Sequence, residues 1–143
     1  MLKNIPSILS PELLKILMEM GHGDEICIGD GNFPAAAYAQ RLVRLDGHGV
    51  SPILDAILGL FPLDTFVERP VFVMEVANKE HAPPPVWSDY EEIIRRHDSS
   101  WAGFQQVERF AFYEQAKRAY AIIATGESAL YANVILKKGV IEP

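Results

Sequence analysis

The dipeptide Ser-Pro occurs twice, at Ser10-Pro11 and Ser51-Pro52, and each time it opens a run of leucines and isoleucines at helical spacing. A capping hydroxyl followed by a proline whose fixed φ suits the first turn is a helix start. After the first, Glu12 lies near the positive end of the helix dipole, and Leu13, Leu14, Leu17 and Met18 share one face. Gly21 is placed to end that helix in a left-handed conformation. After the second, Ile53, Leu54, Ile57, Leu58 and Phe61 form the apolar face, and Pro62 stops it.

Short apolar runs alternate with these helices. Glu25–Gly29, Arg41–Asp46, Val71–Val76, Phe104–Glu108, Ala121–Ala124 and Ala132–Leu136 read as strands, with Asp46-Gly47 as a turn. His81–Pro85 is a proline-rich loop. Ser88-Asp89-Tyr90-Glu91 has capping-box spacing and opens a helix through about Arg96. Phe110–Ala119 is a further helix, with Phe112, Ala116 and Ala119 facing inward and Glu114 and Arg118 set for an i,i+4 ion pair. The alternation predicts an α/β class, with helices covering a central sheet. The short connection between the last two strands predicts an antiparallel pair, hence a mixed sheet. Nothing divides residues 1–143 into more than one domain. Gly-His-Gly at 21–23 and again at 47–49 is too short to count as a repeat.

A chain of 143 residues with a hydrophobic fraction of 49% can bury a real core, and a formal net charge of -6 argues against nucleic acid or an anionic membrane as partner. No apolar run is long enough to span a bilayer. No cationic stretch followed by an apolar run opens the chain, so no secretory signal is expected. The single cysteine, Cys27, lies between Ile26 and Ile28 and reads as a buried, inert thiol. A cytoplasmic protein is expected.

The residues able to do chemistry are few. His22 sits in the glycine-flanked turn Gly21-His22-Gly23 after the first helix, and Asp30 follows the next strand. An imidazole both gives and takes a proton near neutral pH. His22 reads equally as a helix-end histidine favoured by the dipole. Asp24 reads as a backbone cap or a partner for the imidazole, and Asp30 as a turn residue beside Gly31 or a functional acid, favoured by its closeness to His22 in sequence. Tyr131 and Asn133, two apart in a strand, would project from the same face; Asn133 suits a sugar hydroxyl or a neighbouring loop. Arg109 is either paired with Glu108 or Glu114 or is a fixed donor to substrate oxygens. Phe33 reads as core, or as a platform for the apolar face of a sugar. His48, His81 and His97 read as surface residues. Phosphate-binding, dinucleotide-binding, nucleophile-elbow and metal-ligand spacings are missing; if the chain is an enzyme, that leaves cofactor-free acid–base chemistry, which suits a small neutral molecule.

These segments resemble a known family. Ser10-Pro11-Glu12-Leu13-Leu14, Met20-Gly21-His22-Gly23-Asp24-Glu25-Ile26, Asn32-Phe33-Pro34-Ala35, Leu63-Asp64-Thr65, Arg109-Phe110-Ala111-Phe112-Tyr113-Glu114, Thr125-Gly126-Glu127 and the run from Tyr131 to Val140 occur in the order found in the sugar-anomer isomerases, which comprise fucose mutarotases and ribose pyranases. The resemblance implies an isomerase acting on L-fucose, a three-layer α/β/α fold with a mixed sheet and no cofactor. It also implies a ring-shaped homo-oligomer, often a decamer, with sites near subunit contacts. His22 matches the proton donor; Asp30, Asp64, Arg109, Tyr131 and Asn133 match substrate-binding positions. Asn32 stands where many bacterial members carry histidine, and Asn-Phe-Pro is the form of the animal-type branch. The alternatives are pyranose–furanose interconversion of ribose and a non-catalytic monosaccharide-binding protein.

Overall fold

Which way the side chains of each strand point decides the architecture. The computed structural model describes residues 1–78 and 82–143. Its elements are α1 Pro11–Glu19, β1 Glu25–Gly29, α2 Ala35–Tyr38, β2 Leu42–Leu45, α3 Val50–Leu58, β3 Val71–Met74, α4 Pro85–His97, β4 Gln105–Val107, α5 Arg109–Arg118, β5 Ala121–Thr125 and β6 Val134–Lys137. Along β1, Ile26 and Ile28 join one apolar core and Cys27 the other. In β5, Ala121 and Ile123 face the first core while Ile122 and Ala124 face the second; Val134 and Leu136 oppose Ile135 in β6. The first core is closed by α1, α3 and α4, and the second by α2 and α5. The result is the expected three-layer α/β/α arrangement.

The strand order is β2-β5-β1-β6-β3-β4. β6 alone runs against its neighbours, antiparallel to β1 and β3, and the other pairings are parallel. The sheet is therefore mixed, but β5 and β6 do not pair with each other. β1 lies between them, and the connection from Gly126 to Asn133 passes over its end: the Gly31 N–H donates to the Glu127 carbonyl at 2.8 Å, and the Asp30 N–H to Asn133 Oδ1 at 2.8 Å.

Ser10 caps α1 as expected, its hydroxyl oxygen accepting from the Leu13 N–H at 3.2 Å. Several boundaries differ from the sequence reading. α1 ends in extended backbone at Met20, and the left-handed residue of the turn is Gly23 (φ 86°), not Gly21. The Gly21 N–H is instead taken by Asp24 Oδ2 at 2.7 Å, so Asp24 serves the backbone. α3 begins one residue before Ser51, and the carboxylate of Glu127, from the distant connection, accepts its Val50 N–H at 3.1 Å. α4 begins at Pro85, so Ser88–Glu91 is helix interior, not a cap. Glu114 pairs with Lys117 at 2.9 Å, not with Arg118. His81 lies outside the described residues. No helix among the described residues is long and apolar enough to cross a membrane.

Candidate active site

In a sheet whose parallel strands end on one edge, the carboxyl ends of those strands are where a crevice forms. Asp30 follows the carboxyl end of β1, Met74 ends β3, and Arg109 opens α5 just after β4. β6 runs the other way, so Tyr131 and Asn133, which precede it, reach the same edge. Asp30, Asn32, Phe33, Met74, Arg109, Tyr113, Leu130, Tyr131 and Asn133 line one cleft of about 270 Å³. Four of the six residues singled out from the sequence therefore meet in one place.

Each is held there by identifiable bonds. Asp30 is 6% exposed; one carboxylate oxygen accepts the Asn32 N–H at 2.9 Å. Burial pushes the Asp30 carboxyl up from its ordinary range, opposed by the N–H groups of Asn32, Ala132 and Phe33, while the charge of Glu127 adds to the rise. The amide oxygen of Asn133 is spent on the Asp30 N–H. Arg109 sits in the first turn of α5, beside Glu108, which caps the helix by accepting from the Phe110 and Ala111 N–H groups at 3.0 and 3.1 Å. Its Nε donates to the Tyr113 hydroxyl at 3.3 Å, its one side-chain hydrogen bond among the described residues. Neither Glu108 nor Glu114 pairs with it, so the surface ion-pair reading of Arg109 is corrected. Tyr113 was not singled out from the sequence, although its i+4 spacing from Arg109 put it on the same face. Phe33 packs edge-on against Phe112 at 6.1 Å between ring centroids and forms the floor of the cleft.

Tyr131 and Asn133 share the cleft for a different reason from the one expected. They are not strand neighbours; both precede β6, and Tyr131 has φ 55°. A tyrosine in the left-handed region is uncommon and persists only where its surroundings fix it. Here α4 does so: Trp87 Nε1 donates to the Tyr131 carbonyl at 2.8 Å, and the Tyr90 hydroxyl to the Ala132 carbonyl at 2.7 Å. Tyr90 and Ala132 are both fully buried. Tyr90→Phe should therefore strand a buried carbonyl and cost about 1–3 kcal/mol of stability. Thermal denaturation tests this; an unchanged midpoint would mean that bond holds nothing.

His22 is elsewhere. It precedes β1, and Asp30 follows it, so the five-residue strand sets them apart by about 17 Å of extended chain. Closeness in sequence across a strand is distance in space, so nearness to His22 within one chain is not what makes Asp30 a functional acid. The partner of His22 is Asp64, whose Oδ1 lies 3.1 Å from Nε2. Asp64 reaches that edge because Leu63 bridges Lys138 just beyond β6 and the Asp64 N–H donates to the Lys137 carbonyl at 3.0 Å. Phe66, 74% exposed, lies against the His22 ring with centroids 5.0 Å apart. Two unlike surfaces thus stand at opposite ends of β1: a cleft of sugar-sized dimensions that no imidazole lines among the described residues, and an exposed imidazole without a cleft residue beside it. Exposed apolar side chains mark both, Phe110 and Leu130 near the cleft and Phe66 beside His22.

The family profile described as "RbsD / FucU transport protein family" matches residues 3–141. The fucose mutarotase of Homo sapiens is 51% identical over 146 residues, covering 98% of this chain and 94% of its own. The L-fucose mutarotase of Actinobacillus pleuropneumoniae serotype 5b is 46% identical over 140 residues, covering 98% and 97%. The crystal structure of the fucose mutarotase from Streptococcus pneumoniae in complex with L-fucose superposes with a TM-score of 0.93 at 48% identity, covering 99% of this chain and 100% of that one.

Proposed function

This chain belongs to the RbsD / FucU transport protein family, and we propose on that footing that it is an isomerase interconverting the α and β anomers of L-fucose. The cleft at the carboxyl edge, with a buried carboxylate, a guanidinium, a phenol and an amide converging on about 270 Å³, is the observation that carries the reading. Such a set offers both donors and acceptors to the hydroxyls of one monosaccharide.

Mutarotation opens the cyclic hemiacetal and closes it on the other face. A proton must reach the ring oxygen as its bond to the anomeric carbon breaks. The anomeric hydroxyl must lose its proton as the carbonyl forms. Turning about the bond to the next carbon and reversing both transfers gives the other anomer, and no atom or electron is gained or lost overall. His22 delivers the proton to the ring oxygen. Asp30 takes the anomeric proton, because a carboxylate made more basic by burial is the best acceptor lining the cleft. Arg109, Tyr131 and Asn133 hold the remaining hydroxyls and fix the sugar between them.

Because His22 and the cleft lie at opposite ends of β1, the site is completed by a second copy, which presents its His22, with Asp64 and Phe66 behind it, to the cleft of the first. The two surfaces differ, so the contact is head-to-tail, the kind that forms a ring when the rotation between copies closes. This supports a ring-shaped homo-oligomer, a decamer by family resemblance. The inert, buried Cys27, whose thiol burial pushes up, supports a cytoplasmic setting.

Saturation-transfer NMR on equilibrated L-fucose tests the function. Magnetisation should pass between the α and β anomeric signals faster in the presence of the protein. Binding without faster exchange would leave a sugar-binding protein, and faster pyranose–furanose exchange with ribose but not anomer exchange with fucose would move it to the sister activity.

A further inference from the structure

We infer that Asp64 and Phe66 clamp the His22 ring with its hydrogen on Nε2, so that Nδ1 is the nitrogen that passes the proton to the sugar. This rests on His22 as the proton donor and adds the atom that acts and the residues that fix it.

The side chain of Asp64 is 3% exposed and that of His22 43% exposed. The buried carboxylate therefore stands behind the imidazole, and the imidazole stands between it and solvent. Asp64 Oδ1 is shared: it lies 3.1 Å from His22 Nε2 and accepts the Phe66 N–H, also at 3.1 Å. The second bond fixes the carboxylate independently of the histidine. The Phe66 side chain then covers one side of the ring, tilted 50° to it.

An ionised carboxylate only accepts. Burial alone would push the Asp64 carboxyl up, yet the Phe66 N–H, the His22 ring and the charge of Lys137 together hold it below its usual range. It is ionised at neutral pH, so Nε2 must donate to it. In the neutral ring the lone pair is then on Nδ1. In the charged ring both nitrogens carry hydrogen, and Nε2 still donates to Asp64. Donation from Nδ1 leaves the neutral ring with hydrogen on Nε2, which is the form the clamp favours. The ring thus returns to its starting form on regaining a proton at Nδ1, with no exchange of nitrogens between turnovers. Asp64 stands behind the imidazole, its side chain 3% exposed against 43% for His22. It acts through His22 and is a positioning residue, in place of the sugar-binding role that resemblance implied.

Nitrogen-15 NMR of histidine-labelled protein, in the solid state if the assembly is large, reads the tautomer without any activity assay. His22→Gln identifies the His22 signals by removing them. At a pH where the ring is neutral, the wild-type spectrum should show hydrogen on Nε2; hydrogen on Nδ1 overturns the clamp. Asp64→Asn keeps the shape and an acceptor oxygen for the Phe66 N–H but loses the charge. It should slow exchange at saturating L-fucose roughly 100-fold, with KM and sugar affinity within about twofold of wild type and a mixed tautomer signal. A loss of sugar affinity equal to the loss of rate would make Asp64 a sugar ligand and overturn the positioning role. Full exchange in His22→Ala alongside an Nε2–H signal in wild type would overturn the donor assignment, while the clamp geometry stood.

Discussion

His22→Ala is expected to slow catalysed exchange of L-fucose anomers by about 10²–10⁴-fold, the usual worth of one positioned proton transfer. The protein should stay folded. Among the described residues the ring is partly exposed, belongs to no core cluster, and makes one side-chain hydrogen bond, to Asp64. Asp64 keeps the Phe66 N–H when the ring is gone, so the stability loss should stay near 1 kcal/mol. Sugar affinity should change little, because the residues that grip hydroxyls lie on the cleft. The variant's saturation-transfer rate, set beside its thermal midpoint, separates lost chemistry from lost fold. A wild-type rate in the folded variant would remove His22 from the mechanism.

Asp30→Asn should slow exchange by a similar factor, about 10²–10⁴-fold, since it removes the proposed acceptor of the anomeric proton. It should also make the protein more stable at neutral pH. The folded pKa of Asp30 is raised, chiefly by burial. The folded state therefore holds this proton more tightly than the unfolded chain does. The stabilisation is present at low pH and is lost as pH rises through the folded value, which makes the ionised carboxylate a cost of folding at pH 7. The amide removes that cost, and its oxygen still accepts the Asn32 N–H. The thermal midpoint should therefore rise relative to wild type at pH 7, and the gap should close in acid. Asp64 has the opposite sign: its depressed pKa contributes stability above the ordinary carboxylate range that is lost as pH falls through the folded value. A lower midpoint for Asp30→Asn at pH 7 would show that the carboxylate holds the strand end together and is not a strained functional group.

Local chemistry was legible in the sequence and adjacency was not. Glu25–Gly29 has the limits read from its apolar run, and Ser10 caps α1 through its hydroxyl. These depend on a few consecutive residues. That β1 would separate β5 from β6 depends on how three strands compete for one position in a sheet, which no short window encodes. For the same reason the distant Glu127 could not be foreseen as a cap for α3, nor Asp64 as the partner of His22, 42 residues away. Ser88 and Glu91 have box spacing, but Pro85 opens the helix earlier, and that spacing also occurs within helices. Tyr131 and Asn133 reach one cleft through a left-handed turn held by Trp87 and Tyr90. Their common direction was anticipated, and the geometry that produces it was not. The four-residue helix α2, Ala35–Tyr38, is too short to show a periodicity.

Mixing two inactive variants tests most directly whether each site is built from two copies. His22→Ala lacks the imidazole and keeps the cleft; Asp30→Asn keeps the imidazole and lacks the acceptor. Co-expressed in equal amounts, they should assemble into mixed rings in which roughly a quarter of the sites join an intact imidazole to an intact cleft. Exchange should return to about that fraction of the wild-type rate. A site contained within one chain would leave the mixture as inactive as its parts, and that result would contradict the account.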